Sequence, residues 1–218
     1  MKHFIYAAFA AVILFSFSSC RRDHLEEPTG TAGNLELEME HMFGASAFQV
    51  TTPLVSATGD TVIFSSGNYW ISHVRLIKTD GSFYETAVNH KINLSIPNTA
   101  TTSLTNIPNG DYTGVQFAIG TDTSSVFGNF IGSVANVGFN YSAFGSNGPA
   151  YSPVFDFGTI LSISPNAAPM IHMSMDMENL FANGTTPSVM DTILVGTPES
   201  ETFLLNIIGS ISFEHLHQ

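Results

Sequence analysis

The chain has 218 residues, enough for one large domain, and its 44% apolar content is ample for a core. Only 11% of residues are charged, 18 acidic against 6 basic, for a formal net charge of −12. No Lys or Arg follows Lys91, so little could neutralise a run of phosphates, which argues against nucleic-acid binding. Phe, Ile, Val, Thr, Ser, Asn and Gly fill the space that helix formers leave, and this favours short strands joined by turns.

In chain order, Lys2 gives a short positive start, and residues 4–17 (FIYAAFAAVILFSF) form an apolar run too short to span a bilayer comfortably. Ser18-Ser19-Cys20 follows. Small residues directly before a Cys are the pattern of a bacterial lipoprotein signal, in which cleavage leaves Cys20 first and its thiol takes the lipid; an ordinary secretory signal with an incidental Cys is the alternative. Residues 1–20 are therefore expected to be a lipoprotein signal peptide. The expected location is the cell envelope, with the lipid anchor in the membrane and the domain at the periplasmic face or the cell surface. Cys20 is the single cysteine, so a lipidated chain has no thiol for a disulfide or a Cys-based zinc site. Residues 21–34 (RRDHLEEPTGTAGN) read as a flexible polar tether, leaving 35–218 as the folded domain.

Residues 35–43 (LELEMEHMF) alternate strictly. Leu35, Leu37, Met39, His41 and Phe43 share one face and Glu36, Glu38 and Glu40 the other, the pattern of a half-buried strand. Further strands are expected at 60–65, 68–78, 88–96, 101–107 and 111–120, with Asp80-Gly81 and Pro108-Asn109-Gly110 as turns. Residues 121–153 break the period and read as a long aromatic and Gly-rich loop holding Phe127, Phe130, Phe139, Tyr141, Phe144 and Tyr151. Strands are expected to resume at 154–162 and 169–177, with a helical turn at 178–181 and a last strand at 203–216. The predicted fold class is all-β, an antiparallel β-sandwich with one long aromatic/Gly-rich loop.

Four segments, in order, resemble the MbnP-like family of secreted, methanobactin-associated copper-binding proteins, often lipoproteins. They are Tyr69-Trp70-Ile71-Ser72-His73-Val74-Arg75-Leu76 with Thr79-Asp80-Gly81; Ile107-Pro108-Asn109-Gly110-Asp111-Tyr112 leading to Phe117-Ala118-Ile119-Gly120-Thr121-Asp122; Ile171-His172-Met173 to Leu180-Phe181; and Phe213-Glu214-His215-Leu216-His217. At His73 the family pattern carries Asn. The resemblance implies a secreted β-sandwich, copper as the bound metal, and a di-haem peroxidase-like partner. Family members commonly carry a Trp-rich stretch after the Gly-x-Asp segment, where a tryptophan is thought to be oxidised to kynurenine. This chain has the Phe/Tyr/Gly segment there instead, and its one tryptophan, Trp70, lies elsewhere.

With no thiol, a metal site must be built from His, Met, carboxylates or backbone groups. His215 and His217 are two apart and share a strand face, which strict alternation makes the face of Ile211 and Phe213. His41 also lies on an apolar face, so the expected metal ligands are His41, His215 and His217, meeting at the inward rim of the sandwich. Imidazole suits copper, with zinc also fitting such a set. His172 and Asp176 fall on the opposite face of their strand from Met173, Met175 and Met177 and are secondary candidates. That Met stripe reads as core packing rather than ligation. His73 reads as a surface or edge residue, His90 carries no signal beyond composition, and Asp122 reads as turn chemistry. No Gly-x-Ser-x-Gly, phosphate loop, His-Glu-x-x-His or Cys nucleophile is present, so no catalytic residues are expected and the chain reads as a non-enzyme. The expected function is copper acquisition or handling in the envelope. The alternative is an adhesion module that recognises a glycan or protein through the aromatic loop.

Overall fold

The computed structural model describes residues 31–123, 126–144, 148–181 and 198–218. The expected signal peptide, Cys20 and most of the expected tether lie outside them. Strand β1 runs Ala32–Phe43, so it takes in the last residues assigned to the tether. Leu35, Leu37, Met39 and Phe43 are buried, as the alternation requires. After β1 come β2 (Ser46–Ala47), β3 (Leu54–Val55), β4 (Thr61–Lys78), β5 (Phe83–Asn93), β6 (Thr101–Pro108) and β7 (Gly110–Ile119). Then follow β8 (Val126–Val134), β9 (Val137–Phe144), β10 (Ala150–Tyr151), β11 (Phe155–Ile163) and β12 (Met170–Asp176). A 3-10 turn at Met177–Phe181, helix α1 (Pro198–Gly209) and β13 (Ile211–His217) close the described chain.

Two sheets face one another, as expected of a β-sandwich. The first has the order β13-β12-β1-β2, with β6 also pairing β1; the second has the order β10-β7-β4-β8-β9, with β11 on β7 and β3 and β5 on β4. Pairing is antiparallel except between β1 and β12, which run parallel. At 18 residues, β4 is long enough to change partners along one edge. It pairs β8 over Val62 to Tyr69 and β7 from Ile71 onward, with register shifts where the ladder is handed over. Leu35, Leu37, Met39, Ile171, Met173 and Met175 of the first sheet pack into one core with Phe64, Tyr69, Ile71, Phe117 and Phe130 of the second. The Met stripe is therefore core, as expected.

Two expectations are corrected. Most of 121–153 is not a loop, because β8 and β9 form a hairpin. Its two-residue turn, Ala135-Asn136, has positive φ at both positions (48° and 69°), the twist that suits a tight hairpin. Phe127, Phe130, Phe139 and Tyr141 are buried, so these rings are core and not a stacking surface for a ligand. Gly132 allows the hairpin to approach β4, since a Cβ there would strike the Ile63 carbonyl oxygen. The second correction is at 203–209, which is helix rather than strand. Ser200, Phe203, Leu204 and Ile207 are buried at helical spacing, Pro198 opens the helix, and Glu199 and Glu201 lie at its positive end. Phe203 packs against Phe130 and Tyr141, with ring centroids 5.7 and 5.2 Å apart.

Candidate metal centre

The outer face of the first sheet is a grid fixed by backbone register. In β12 the odd residues Ile171, Met173 and Met175 are buried, which leaves Met170, His172, Ser174 and Asp176 facing out. On β1 the outward residues opposite them are Glu36, Glu38, Glu40 and Met42. On the other side of β12, His217 stands opposite Met170, His215 opposite His172, and Ser212 opposite Ser174. One row is thus Glu36, Met170, His217; the next is Glu38, His172, His215.

The expectation that His215 and His217 point inward with Ile211 and Phe213 is corrected here. The β12–β13 register shifts between His172 and Met173, so that one step on β12 matches two on β13, from His215 to Phe213. Glu214 is the extra residue. A bulge of this kind reverses the side-chain phase beyond it. Ile211 and Phe213 still face the core on one side of the bulge and Leu216 on the other, while His215 and His217 are exposed.

The reversal brings three imidazoles together. His172 Nδ1 is 3.4 Å from His215 Nε2, and His215 Nε2 is 2.9 Å from His217 Nε2. One nitrogen from each of the three can be chosen so that all lie within 4.8 Å of one another, the one such group of His, Cys, Asp and Glu among the described residues. Nitrogens at ~2.05 Å from an ion stand about 2.9 Å apart at right angles and about 3.3 Å apart at the tetrahedral angle. The 2.9 Å spacing matches the first value, the 3.4 Å spacing lies close to the second, and all three nitrogens stay within 4.8 Å of one another, so a small ring adjustment would let the donor set take a copper or zinc ion. His172 is also backed by carboxylates. Its Nδ1 turns to the cluster while its Nε2 lies 3.5 Å from Glu40 Oε2 and 3.9 Å from Glu38 Oε2. Metal-binding histidines commonly use one nitrogen for the ion and donate the other N–H to a carboxylate, which fixes tautomer and ring angle.

His41 does not join the group. It points from β1 into the space between the sheets, where its Nε2 and the Tyr69 hydroxyl lie 2.9 Å apart. It borders the same open cleft beside β1 as His172, but from the inner side. Burial lowers its pKa to about 4, so it is neutral near pH 7, and burial likewise raises that of Tyr69. Asp176 is also elsewhere. Its Oδ1 accepts the backbone N–H groups of Gly44 and Glu178, both at 3.0 Å, and so ties β1's end to the 3-10 turn. His172, a secondary candidate in the sequence, is one of the three, and His215 stands between it and His217. The period of β12 put it on the polar face, but only the pairing of β12 with β13 shows what it meets.

His73 holds a different role. It lies not at an edge but at a bulge in β4, between β5 and β7, with φ of 50°. Its Nδ1 is 2.8 Å from Glu85 and its Nε2 3.0 Å from Asp122. With a carboxylate on each side, its pKa is raised, first by the hydrogen bond to Glu85 against the cost of burial. Arg75 completes the group through Glu85 (2.5 Å) and the Tyr151 hydroxyl (2.9 Å). The carboxylates flank opposite sides of the ring and do not converge, so this is a clamp and not a metal site. His90 is held by the Thr99 carbonyl at 2.7 Å.

The MbnP family model matches residues 32–137, from β1 through β8 to the first residue of β9. That stretch of the chain is MbnP-like. The structure is similar to MbnP from Methylosinus trichosporium at 7% identity and a TM-score of 0.49, covering 75% of this chain and 81% of that one. No curated protein matches the chain. The Tyr69-to-Gly81 and Ile107-to-Asp122 segments lie inside the MbnP-like stretch. His172, His215 and His217 lie beyond it, so the case for the site rests on their geometry.

Proposed function

We propose that this MbnP-like protein binds copper at His172, His215 and His217 and serves copper acquisition or handling at the cell envelope. The carrying observation is the convergence of three imidazole nitrogens on an exposed sheet face, with Glu40 behind His172. The association of the MbnP family with methanobactin and copper favours copper over zinc. Glu36, Glu38 and Glu40 lie on the same face and raise the local concentration of cations. The signal-like residues 1–20 support lipidation at Cys20, which would keep the domain at the membrane with its site open to exchange. We assign no catalytic step. A site held by exposed strand ends suits loading and release better than the sequestered chemistry of an enzyme.

The test is metal content, by elemental analysis, of the Cys20-less domain made without a His tag. It would be loaded with copper or zinc and compared with a His215→Ala/His217→Ala double variant and with His41→Ala. About one copper per chain is expected in the wild type and in His41→Ala, and little in the double variant. Loss of copper in His41→Ala alone would return the site to the interior. Equal copper in the wild type and the double variant would end the three-histidine reading.

A further inference from the structure

The outward positions of β12 and β13 form a two-by-two block. His172 and His215 face one another in one row, and Met170 and His217 in the next. Three corners are the histidines whose nitrogens converge; the fourth is a thioether. Met170 is placed there by backbone register, not by a chosen rotamer. It is two residues before His172 on a strand whose alternation is unbroken from Met170 to Asp176, and it is half-buried on a face whose other outward residues on β12 are His172, Ser174 and Asp176. Core packing, which accounts for Met173 and Met175, does not account for it, since those point to the opposite side. Directly opposed residues on neighbouring antiparallel strands have Cα atoms about 4.5–5.5 Å apart, and a methionine has three side-chain torsions with which to cover that distance.

We propose that Met170 supplies a thioether sulfur as a fourth donor beside His172, His215 and His217, and thereby sets the site for Cu(I). This rests on the copper reading of the histidine cluster. Thioether is a soft donor that favours Cu(I) and adds little for Zn(II), which three imidazoles hold without it. Glu36 flanks Met170 on the other side, so the sulfur is the soft member of a row that otherwise offers hard oxygen and imidazole.

The experiment is competition for Cu(I), under anaerobic conditions with a chromophoric Cu(I) chelator, and for Zn(II) in parallel. The proteins are the wild type, Met170→Leu, and the His215→Ala/His217→Ala variant. Leu keeps the volume and apolar character of Met without the sulfur. The proposal expects Met170→Leu to lose about ten-fold or more in Cu(I) affinity with Zn(II) affinity unchanged. It also expects sulfur scattering in the copper X-ray absorption spectrum of the wild type that the variant lacks. Equal Cu(I) affinity in both, or equal losses for the two metals, would overturn it and leave the three-histidine site standing. Wild type that binds neither metal better than the double variant would overturn both readings.

Discussion

His73 shows how one residue can carry two constraints. Its φ of 50° lies in the left-handed region, which most side chains avoid and Asn tolerates best. The MbnP-like pattern has Asn at this place, which suits the backbone. Histidine keeps the bulge and adds a bridge between Glu85 on β5 and Asp122 after β7. Burial pushes the Glu85 carboxyl up, but the hydrogen bonds from His73 and Arg75 outweigh it and hold its pKa low. For His73 the sign runs the other way. Its folded pKa is raised above 6.5, so the bridge stabilises fully below that pH and fades as pH rises through the folded value. His73→Asn is expected to fold with the same bulge and to lose this term. Urea unfolding of both proteins between pH 6 and 9 checks it. The wild type should lose stability relative to the variant as pH rises, and parallel curves would show that the bridge contributes nothing.

At the scale of elements, the decisive feature is one extra residue in β13. The sequence identified the histidine pair and the period of both strands, yet strict alternation assigned the pair to the wrong face. A bulge depends on which residues of β12 lie opposite β13, and that pairing leaves no local mark. The same limit explains the β8–β9 hairpin, whose Ala135-Asn136 turn lacks the usual Asn-Gly signal. Helix α1 is different. Phe203, Leu204 and Ile207 stand at helical spacing behind Pro198 and Glu199, so the element is legible, but the apolar residues on either side of Asn206 in 203–208 also suit a strand. The bulge makes a sharp prediction. Deleting Glu214 should restore plain alternation, with Phe213 inward, His215 outward, Leu216 inward and His217 outward. Copper stoichiometry should then survive, despite the loss of Glu214's contacts with Ser174 and Ser212. If β13 had no bulge, the same deletion would turn both histidines to the other face, and metal would be lost.

For the whole molecule, the two sheets separate stability from metal chemistry. The core holds the apolar sides of β12 and β13, while the candidate ligands stand on the solvent side of the same strands. Changes to His215 or His217 should therefore leave unfolding nearly untouched without metal, since exposed substitutions usually stay within about 0.5 kcal/mol. His41 is the reverse, a histidine built into the junction between sheets. It joins β1 of the first sheet to Tyr69 of β4 in the second, in surroundings that hold its pKa down to about 4. The unfolded chain takes a proton at His41 near pH 6.5, but the folded chain resists until much lower pH. Stability from this site is thus complete above about pH 6.5, falls as pH drops toward 4, and is flat below. The shift corresponds to a loss on the order of 3 kcal/mol. His41→Gln keeps a polar partner for the Tyr69 hydroxyl and cannot titrate. Chemical unfolding at pH 7 and pH 4.5 should show the wild type losing more than the variant by most of that amount. Equal losses would mean that His41 is solvated well enough to accept its proton in the folded state, and that the acid sensitivity of the sandwich lies elsewhere.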